Sequence, residues 1–224
     1  MSIRNWPATE RPRERLIERG PHVLSDGELL AVLIGCGKRG RSAVDLARAL
    51  IVEFGSLREF LNADQDRCLD QFGIGPARYA AMQEALELAR RHYREALRLG
   101  AALNDRESIL GFLRSQLRDR QYEVFCCMYL DGKHRLIAFE ELFRGTLDTT
   151  SVYTREVVRQ ALIHNSSAVI FAHNHPSGAA EPSHADAAIT GRLKRVLGEV
   201  EIKVLDHVVV GDTRCVSFAD RGLI

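Results

Sequence analysis

The sequence predicts an α/β protein of the α+β kind with two domains: an all-helical one over residues 1–100, and a mixed β-sheet with flanking helices over residues 101–224. Two observations carry this prediction. Apolar residues recur at helical spacing through the first hundred positions, whereas the alternating or continuous apolar stretches typical of strands begin at residue 123. At 224 residues the chain also exceeds the usual size of a single domain.

Three helices account for most of the first domain. Ser25-Asp26-Gly27-Glu28 has the S-x-x-E form of a capping box and precedes the apolar stretch 29–34, which predicts a helix there. Residues 42–54 and 77–99 each place their apolar side chains near one face at helical spacing. The three helices are therefore expected to pack as a compact bundle.

The second domain alternates helices and strands. Asp131-Gly132 is a strong hairpin signal between two apolar segments, and the short continuous apolar run 168–172 is typical of a buried strand. The predicted order is helix 108–118, strands 123–130 and 134–139, helix 154–164, strand 168–172, helix 183–199, and a last strand pair, 203–210 and 214–218.

Composition argues against several classes of protein. No apolar run approaches the roughly 18 residues that a membrane span needs, and the N-terminal stretch does not have the form of a signal peptide. A cytoplasmic protein without a membrane partner is predicted. The 31 basic and 30 acidic residues give no nucleic-acid signal through net charge. The five cysteines form an odd set without C-x-x-C spacing, which predicts reduced core thiols rather than disulfides or a thiolate zinc site.

The stretch HNHPSGAAEPSHAD, residues 173–186, concentrates the groups that carry chemistry. His173 and His175 stand two apart at the end of a predicted strand, where side chains at i and i+2 project to the same face. Asp186 falls one turn into the next helix, and the intervening loop is long enough to fold that turn back over the histidines. Two imidazoles and a carboxylate suit Zn²⁺ with its fourth position open for water.

The same residues have a second interpretation. Ser183-x-x-Asp186 is a helix-capping pattern in its own right, and polar residues often gather where a strand ends. The conjunction favours metal binding: H-x-H at a buried strand end, then proline, then a spacer of fixed length before S-x-x-D.

With its flanking residues, this pattern resembles the JAMM (MPN+) zinc metallopeptidases, and HNHPSG in particular resembles the RadC branch, long associated with DNA repair. The resemblance covers nearly the whole chain. It implies one zinc ion per chain, bound by His173, His175 and Asp186, with Ser183 supporting the oxyanion. It also implies a glutamate that activates the water, placed where the first helix of the catalytic domain meets its first strand. Here that residue is Glu123, with Glu140, Glu141 and Glu156 as competitors by composition.

His207 lies mid-strand in Leu205-Asp206-His207-Val208, where it is either a donor to this site or a histidine satisfied by its own strand. Other metal hydrolases fit less well. An amidohydrolase barrel needs about 250 residues, mostly downstream of its H-x-H. Neither an H-E-x-x-H peptidase motif nor the paired motifs of nucleobase deaminases occur in the sequence.

Two turns of the form apolar-Gly-x-Gly, residues 33–37 and 71–75, precede predicted helices in the first domain. The second resembles a helix-hairpin-helix, whose backbone N–H groups grip DNA phosphates; the alternative is an ordinary helix-helix turn. Candidate backbone contacts are Gly73 and Gly75, with a basic rim of Lys38, Arg39 and Arg41.

Two functions therefore compete. The first is a zinc-dependent metallopeptidase or isopeptidase that acts on a peptide or protein substrate. The second is a DNA-binding accessory protein whose metal site is structural or relic. The intact Glu/His/His/Ser/Asp set favours the first, and the two glycine turns favour the second.

Overall fold

The computed structural model describes residues 3, 6–38, 40–71, 73–98, 106–145 and 152–224. The chain forms two compact units, Met1–Leu88 and Ala89–Ile224. Helices make up the first unit and a mixed five-stranded sheet with helices makes up the second, so the predicted fold class is confirmed. The predicted boundary at residues 100 and 101 lies outside the described residues and stays a prediction, whereas the division between the two units falls inside a helix.

The N-terminal unit is built on two capped helices. In both, a serine at the N-cap and an acid three residues later exchange hydrogen bonds: Ser25 with Glu28, and Ser42 with Asp45. The apolar faces of these helices form the core, as the spacing predicted. The helices of this unit are α1 (Pro12–Arg19), α2 (Asp26–Ile34), α3 (Ala43–Phe54), α4 (Leu57–Leu61), α5 (Gln65–Leu69) and the first part of α6 (Pro76–Arg98).

The C-terminal unit contains a sheet in the order β2-β1-β3-β4-β5. β1 lies antiparallel to both β2 and β3, and β3 lies parallel to β4. The strands are β1 (Val124–Leu130), β2 (Leu136–Arg144), β3 (Ala168–Asn174), β4 (Lys203–Val210) and β5 (Cys215–Ser217), and the helices, besides the end of α6, are α7 (Arg106–Leu117), α8 (Thr154–Ile163) and α9 (His184–Gly198).

Each face of the sheet has its own apolar core. Alternate residues of β1 and β3 pack on one side with α7, and the residues between them pack on the other side with α8 and α9. Ala172 belongs to the first core and Phe171 to the second. By the same alternation, His173 lies on the α8/α9 side and Asn174 on the α7 side. The end of β3 thus sends consecutive side chains to opposite faces.

The cysteines do not all lie in the core. Cys68, Cys126 and Cys127 are buried, as predicted, but Cys36 is exposed and Cys215 is half-buried. The prediction is wrong for Cys36, which follows the end of α2, whereas Cys215, at the start of the edge strand β5, packs against the core without being fully buried. None of the helices in the described part of the chain is long and apolar enough to cross a membrane.

Candidate functional site

His173 and His175 lie where β3 ends, and their Nε2 atoms are 3.0 Å apart. His173 is fully buried in the sheet. The backbone N–H of His175 donates to the Val210 carbonyl (3.0 Å), which keeps the chain beside β4 for one residue beyond β3. The Nδ1–H of His175 donates to the Ala179 carbonyl (2.7 Å). Because a neutral imidazole carries one proton, this bond leaves the Nε2 lone pair of His175 directed at His173.

Asp186 uses its two carboxylate oxygens differently. Oδ2 accepts hydrogen bonds from the backbone N–H (2.7 Å) and hydroxyl (2.8 Å) of Ser183, the N-cap of α9. The Ser183 hydroxyl accepts in turn from the Asp186 backbone N–H (3.1 Å). Oδ1 is buried, accepts no hydrogen bond from the described residues, and lies 3.4 Å from Nε2 of His173. Oδ1 is therefore left beside His173 without a capping bond, whereas the capping oxygen Oδ2 also lies 3.8 Å from Nε2 of His175.

Burial alone would raise the pKa of the Asp186 carboxyl. The contact with His173 and the hydrogen bonds from Ser183 outweigh burial and hold this pKa below its usual range. Asp186 is consequently an anion at neutral pH, with one oxygen still available as a ligand.

Glu123 immediately precedes β1 and reaches the same place. One of its carboxylate oxygens and one ring nitrogen each of His173 and His175 lie within 4.8 Å of one another. The competing glutamates have other partners: Glu140 bonds His164 (2.9 Å), Glu141 pairs with Arg144 (2.9 Å), and Glu156 pairs with Arg159 (2.9 Å). Of the four candidates, Glu123 is the one that the structure brings to the two histidines.

Asn174 holds the segment that carries Glu123. Its Oδ1 accepts from the buried N–H of Val124 (2.9 Å), and its Nδ2 donates to the carbonyls of Tyr122 (3.1 Å) and Arg120 (3.3 Å). On the other side, the Glu123 carbonyl accepts from the N–H of Gly145 (3.0 Å). The residue between the two histidines thereby positions the backbone on both sides of Glu123.

His207 is fully buried beside His173 and is stacked on Phe218, with ring centroids 4.8 Å apart. Its Nε2 lies 2.8 Å from Nδ1 of His173, and its Nδ1 lies 2.6 Å from Oγ1 of Thr190 on α9. Burial, together with the neighbouring His173, lowers the pKa of His207 well below its ordinary value, so that this ring is neutral at pH 7. Of the two sequence-based interpretations of His207, the structure supports contact with the site.

Sequence patterns revealed neither Asn174 nor Thr190. Both have a signal that can be recognised afterwards: Asn174 separates the two histidines, and Thr190 follows Asp186 by one helical turn, so that it lies on the same face of α9. Neither signal says which distant backbone or ring the side chain contacts.

The donor atoms suit a metal ion. Two ligands at about 2.0–2.1 Å from a tetrahedral zinc ion lie roughly 3.3–3.4 Å apart. The separations here are 3.0 Å between the two Nε2 atoms, 3.4 Å between Nε2 of His173 and Oδ1 of Asp186, and 3.8 Å between Nε2 of His175 and Oδ2 of Asp186. A buried carboxylate oxygen that accepts no hydrogen bond from the described residues is the kind of atom that a cation would satisfy.

The predicted DNA contacts lie in the N-terminal unit. Lys38 and Arg41 exchange backbone hydrogen bonds in a tight turn (3.0 and 2.9 Å), and Arg39 lies outside the described residues. The side chain of Arg78 donates to the carbonyls of Gly73 and Cys36, so the two glycine turns lie side by side.

The two glycines at the second turn differ. Gly73 has φ +109°, and a Cβ there would come within 2.9 Å of Leu46, so packing alone accounts for this glycine. A Cβ on Gly75 would meet no atom within 4 Å, which leaves space for an approaching group.

Comparison with known proteins relates both units to described families. Residues 103–223 match the family model of the RadC-like JAB domain, and residues 3–80 match that of the UPF0758 N-terminal region. Similar proteins include UPF0758 proteins of Nitrosococcus oceani (53% identical), Thioalkalivibrio sulfidiphilus (56%) and Halorhodospira halophila (55%), each aligned over the full length of both chains.

Proposed function

The chain belongs to the RadC family, as its motifs predicted, and on this premise we propose that it is a zinc-dependent hydrolase of peptide or isopeptide bonds. The observation that carries the proposal is the convergence of two imidazole nitrogens and a buried carboxylate oxygen, with the Glu123 carboxylate close by. Such a set combines ligands for one metal ion with a base that can reach a water molecule on it.

In this proposal His173, His175 and Asp186 hold one zinc ion per chain. When bound, zinc supplies a Lewis acid and lowers the pKa of a bound water to about 7. Glu123 accepts the proton of the attacking water and passes it to the leaving amine, which a carboxylate does without being a ligand itself. Asn174 fixes the backbone beside Glu123 and so the distance over which the proton moves.

The Ser183 hydroxyl has one proton and two proposed acceptors, so it can donate to only one of them at a time. Its hydroxyl proton is directed at Oδ2 of Asp186, where it orients a ligand. To support an oxyanion it must turn that proton towards the substrate. The backbone N–H of Ser183 still donates to Oδ2 when the hydroxyl turns, so Asp186 keeps one of these two orienting bonds.

The test compares Glu123→Gln with the wild type, both loaded with zinc. Each protein is incubated with a library of peptides that contains linear and lysine-ε-linked branched members, and cleavage is followed by mass spectrometry. We expect cleavage by the wild type and none by Glu123→Gln, although both bind zinc, because the amide keeps the shape but cannot accept a proton.

Glu156→Gln is a matched control, since this surface glutamate pairs with Arg159. It should cleave like the wild type. A zinc-loaded wild type that cleaves no member of the library would count against the proposal. Cleavage by Glu123→Gln would instead remove Glu123 from the base role.

A second candidate function, binding of the DNA backbone, is favoured by the N-terminal turns. The N-terminus of α3 is already occupied by the Ser42–Asp45 capping box, whose carboxylate would repel a phosphate. The first turn of α6 contains no acid, and the open space beside Gly75 lies next to it. We therefore propose the start of α6, rather than that of α3, as the phosphate contact.

Binding of the full-length protein to duplex DNA can be measured by fluorescence anisotropy over a range of salt concentrations. We expect weak binding without sequence preference, with a slope of about 0.9 log unit per log unit of salt for each phosphate contacted. Gly75→Val should weaken binding by filling the open space, and Lys38→Ala with Arg41→Ala should make the slope shallower. Variants that bind with the wild-type affinity and salt slope would contradict this candidate.

A further inference from the structure

A chain of three hydrogen bonds starts at His173 and ends on the backbone of another predicted ligand. Nδ1 of His173 lies 2.8 Å from Nε2 of His207, and Nδ1 of His207 lies 2.6 Å from the Thr190 hydroxyl. That hydroxyl lies 2.5 Å from the carbonyl oxygen of Asp186. His173, Asp186, Thr190 and His207 are all at most 1% exposed.

The two ends of the chain set the direction of its bonds. A carbonyl oxygen can only accept a hydrogen bond, so the Thr190 hydroxyl donates its single proton to the carbonyl oxygen of Asp186. Thr190 then accepts from Nδ1–H of His207. Nε2 of His173 lies beside Nε2 of His175 and Oδ1 of Asp186, so a His173 that binds a metal there carries its proton on Nδ1 and donates it to Nε2 of His207.

We propose that Thr190 and His207 are positioning residues that hold His173 in its Nδ1–H tautomer and thereby keep its Nε2 lone pair available as a ligand. The proposal rests on the proposed metal site. The opposite tautomer would direct an Nε2–H at Nε2 of His175, 3.0 Å away, or at Oδ1 of Asp186, 3.4 Å away, and would place a proton where the metal belongs. The chain therefore selects between two states of His173 that differ in their capacity to bind a metal.

The chain also connects two predicted ligands through the protein. The Asp186 backbone receives the last bond of the chain, while Oδ1 of the same residue lies 3.4 Å from Nε2 of His173. A metal ion between these two atoms would close the circuit His173–His207–Thr190–Asp186, so that the position of α9 and the ring orientation of His173 would depend on each other.

Thr190→Val removes the hydroxyl and keeps the branched shape, whereas Thr190→Ser keeps the hydroxyl. Without Thr190 as acceptor, His207 is free to carry its proton on Nε2 and donate to His173, which shifts the His173 proton to Nε2. Zinc affinity of the full-length protein is measured by competition with a chromophoric chelator. We expect Thr190→Val to bind zinc on the order of 10- to 100-fold more weakly than the wild type, and Thr190→Ser to bind within about threefold of it.

Nitrogen-15 NMR of the zinc-loaded protein gives a second readout, because the shift of Nδ1 of His173 depends on whether its N–H donates to His207. We expect the hydrogen-bonded Nδ1–H in the wild type and Thr190→Ser, and a changed Nδ1 shift in Thr190→Val. A merely structural role of Thr190 would not change this shift in a folded, zinc-loaded protein. His207→Phe, which keeps an aromatic ring on Phe218 but offers no acceptor, should weaken zinc binding as Thr190→Val does.

The outcomes separate this inference from the proposed function. If the wild type binds no zinc, the metal site itself is refuted. If the wild type binds zinc and the folded variants Thr190→Val and His207→Phe bind it equally well, with an unchanged Nδ1 shift of His173 in Thr190→Val, the positioning role is overturned while the metal site stands.

Discussion

Substitution of Asn174 by alanine tests how the position of Glu123 is maintained. The Val124 amide is buried, and leaving it without an acceptor costs about 1–3 kcal/mol. The carbonyls of Arg120 and Tyr122 are partly accessible to water, so each lost bond there costs about 0.5–1.5 kcal/mol. Together these terms predict that opening of the segment before β1 becomes easier by about 2–6 kcal/mol, at least roughly 30-fold in its equilibrium constant.

Hydrogen exchange in the metal-free, full-length protein measures this opening directly. The Val124 amide should exchange at least about 30-fold faster in Asn174→Ala than in the wild type, while amides in the middle of β4 keep their protection. Gln121→Ala is the matched control, because it alters an exposed side chain of the same segment and should leave exchange unchanged. If Val124 exchanges at the same rate in Asn174→Ala as in Gln121→Ala, Asn174 does not hold the segment.

Three further predictions concern the Ser183 helix cap, the stability of the protein at acidic pH and the reactivity of its cysteines. Ser183→Ala removes the helix cap, which should lower the stability by about 0.5–2 kcal/mol, and it removes the hydroxyl bond that orients Asp186. Zinc should still bind at one ion per chain, but more weakly than to the wild type. An unchanged zinc affinity in a titration would disprove the orienting role. The folded pKa of Asp186 is lowered, so its contribution is present above the unfolded pKa of about 3.9 and is lost as pH falls further. Calorimetry of metal-free protein from pH 5 to 3 should therefore show a smaller loss of stability in Asp186→Asn, and an equal loss would contradict the pKa shift. With a thiol reagent, the native protein should react at two cysteines, Cys36 and Cys215, and fast reaction at more than two would contradict the burial of Cys68, Cys126 and Cys127.

Local rules predicted the parts of the site that depend on neighbours in sequence. Alternation along a strand placed His173 and His175 on the same side, and helix capping placed Asp186 in the first turn of α9. Neither rule could show that the two carboxylate oxygens of Asp186 have separate partners, because that depends on how α9 packs beside the end of β3.

The contacts of Asn174 and Thr190 depend on strand register and on helix placement, which no local pattern encodes. Asn174 meets Val124 across 50 positions of sequence, because β3 pairs antiparallel with β1 and His173 stands opposite Phe125. Thr190 meets His207 because α9 packs beside the parallel strand β4. The glutamate could be chosen from sequence only by family resemblance, and the geometry now separates Glu123 from Glu140, Glu141 and Glu156.

The fold shows the same division between local and distant information. Long amphipathic helices and most apolar strands were predicted to within a few residues, but β2 continues to Arg144 rather than ending at residue 139. The helices α4 and α5, of five residues each, are too short to display a helical period. α1 is rich in charged residues and has Pro12 as its only buried residue, so it offered no apolar face to detect.

Metal content of the purified full-length protein tests the central claim most directly. After incubation with zinc and removal of the excess, elemental analysis should find about one zinc ion per chain in the wild type, and almost none in folded His173→Ala, His175→Ala and Asp186→Ala, because each variant removes one of three ligands. A folded wild type that remains free of zinc, or ligand variants that retain a full equivalent, would contradict the metal site on which the account is built.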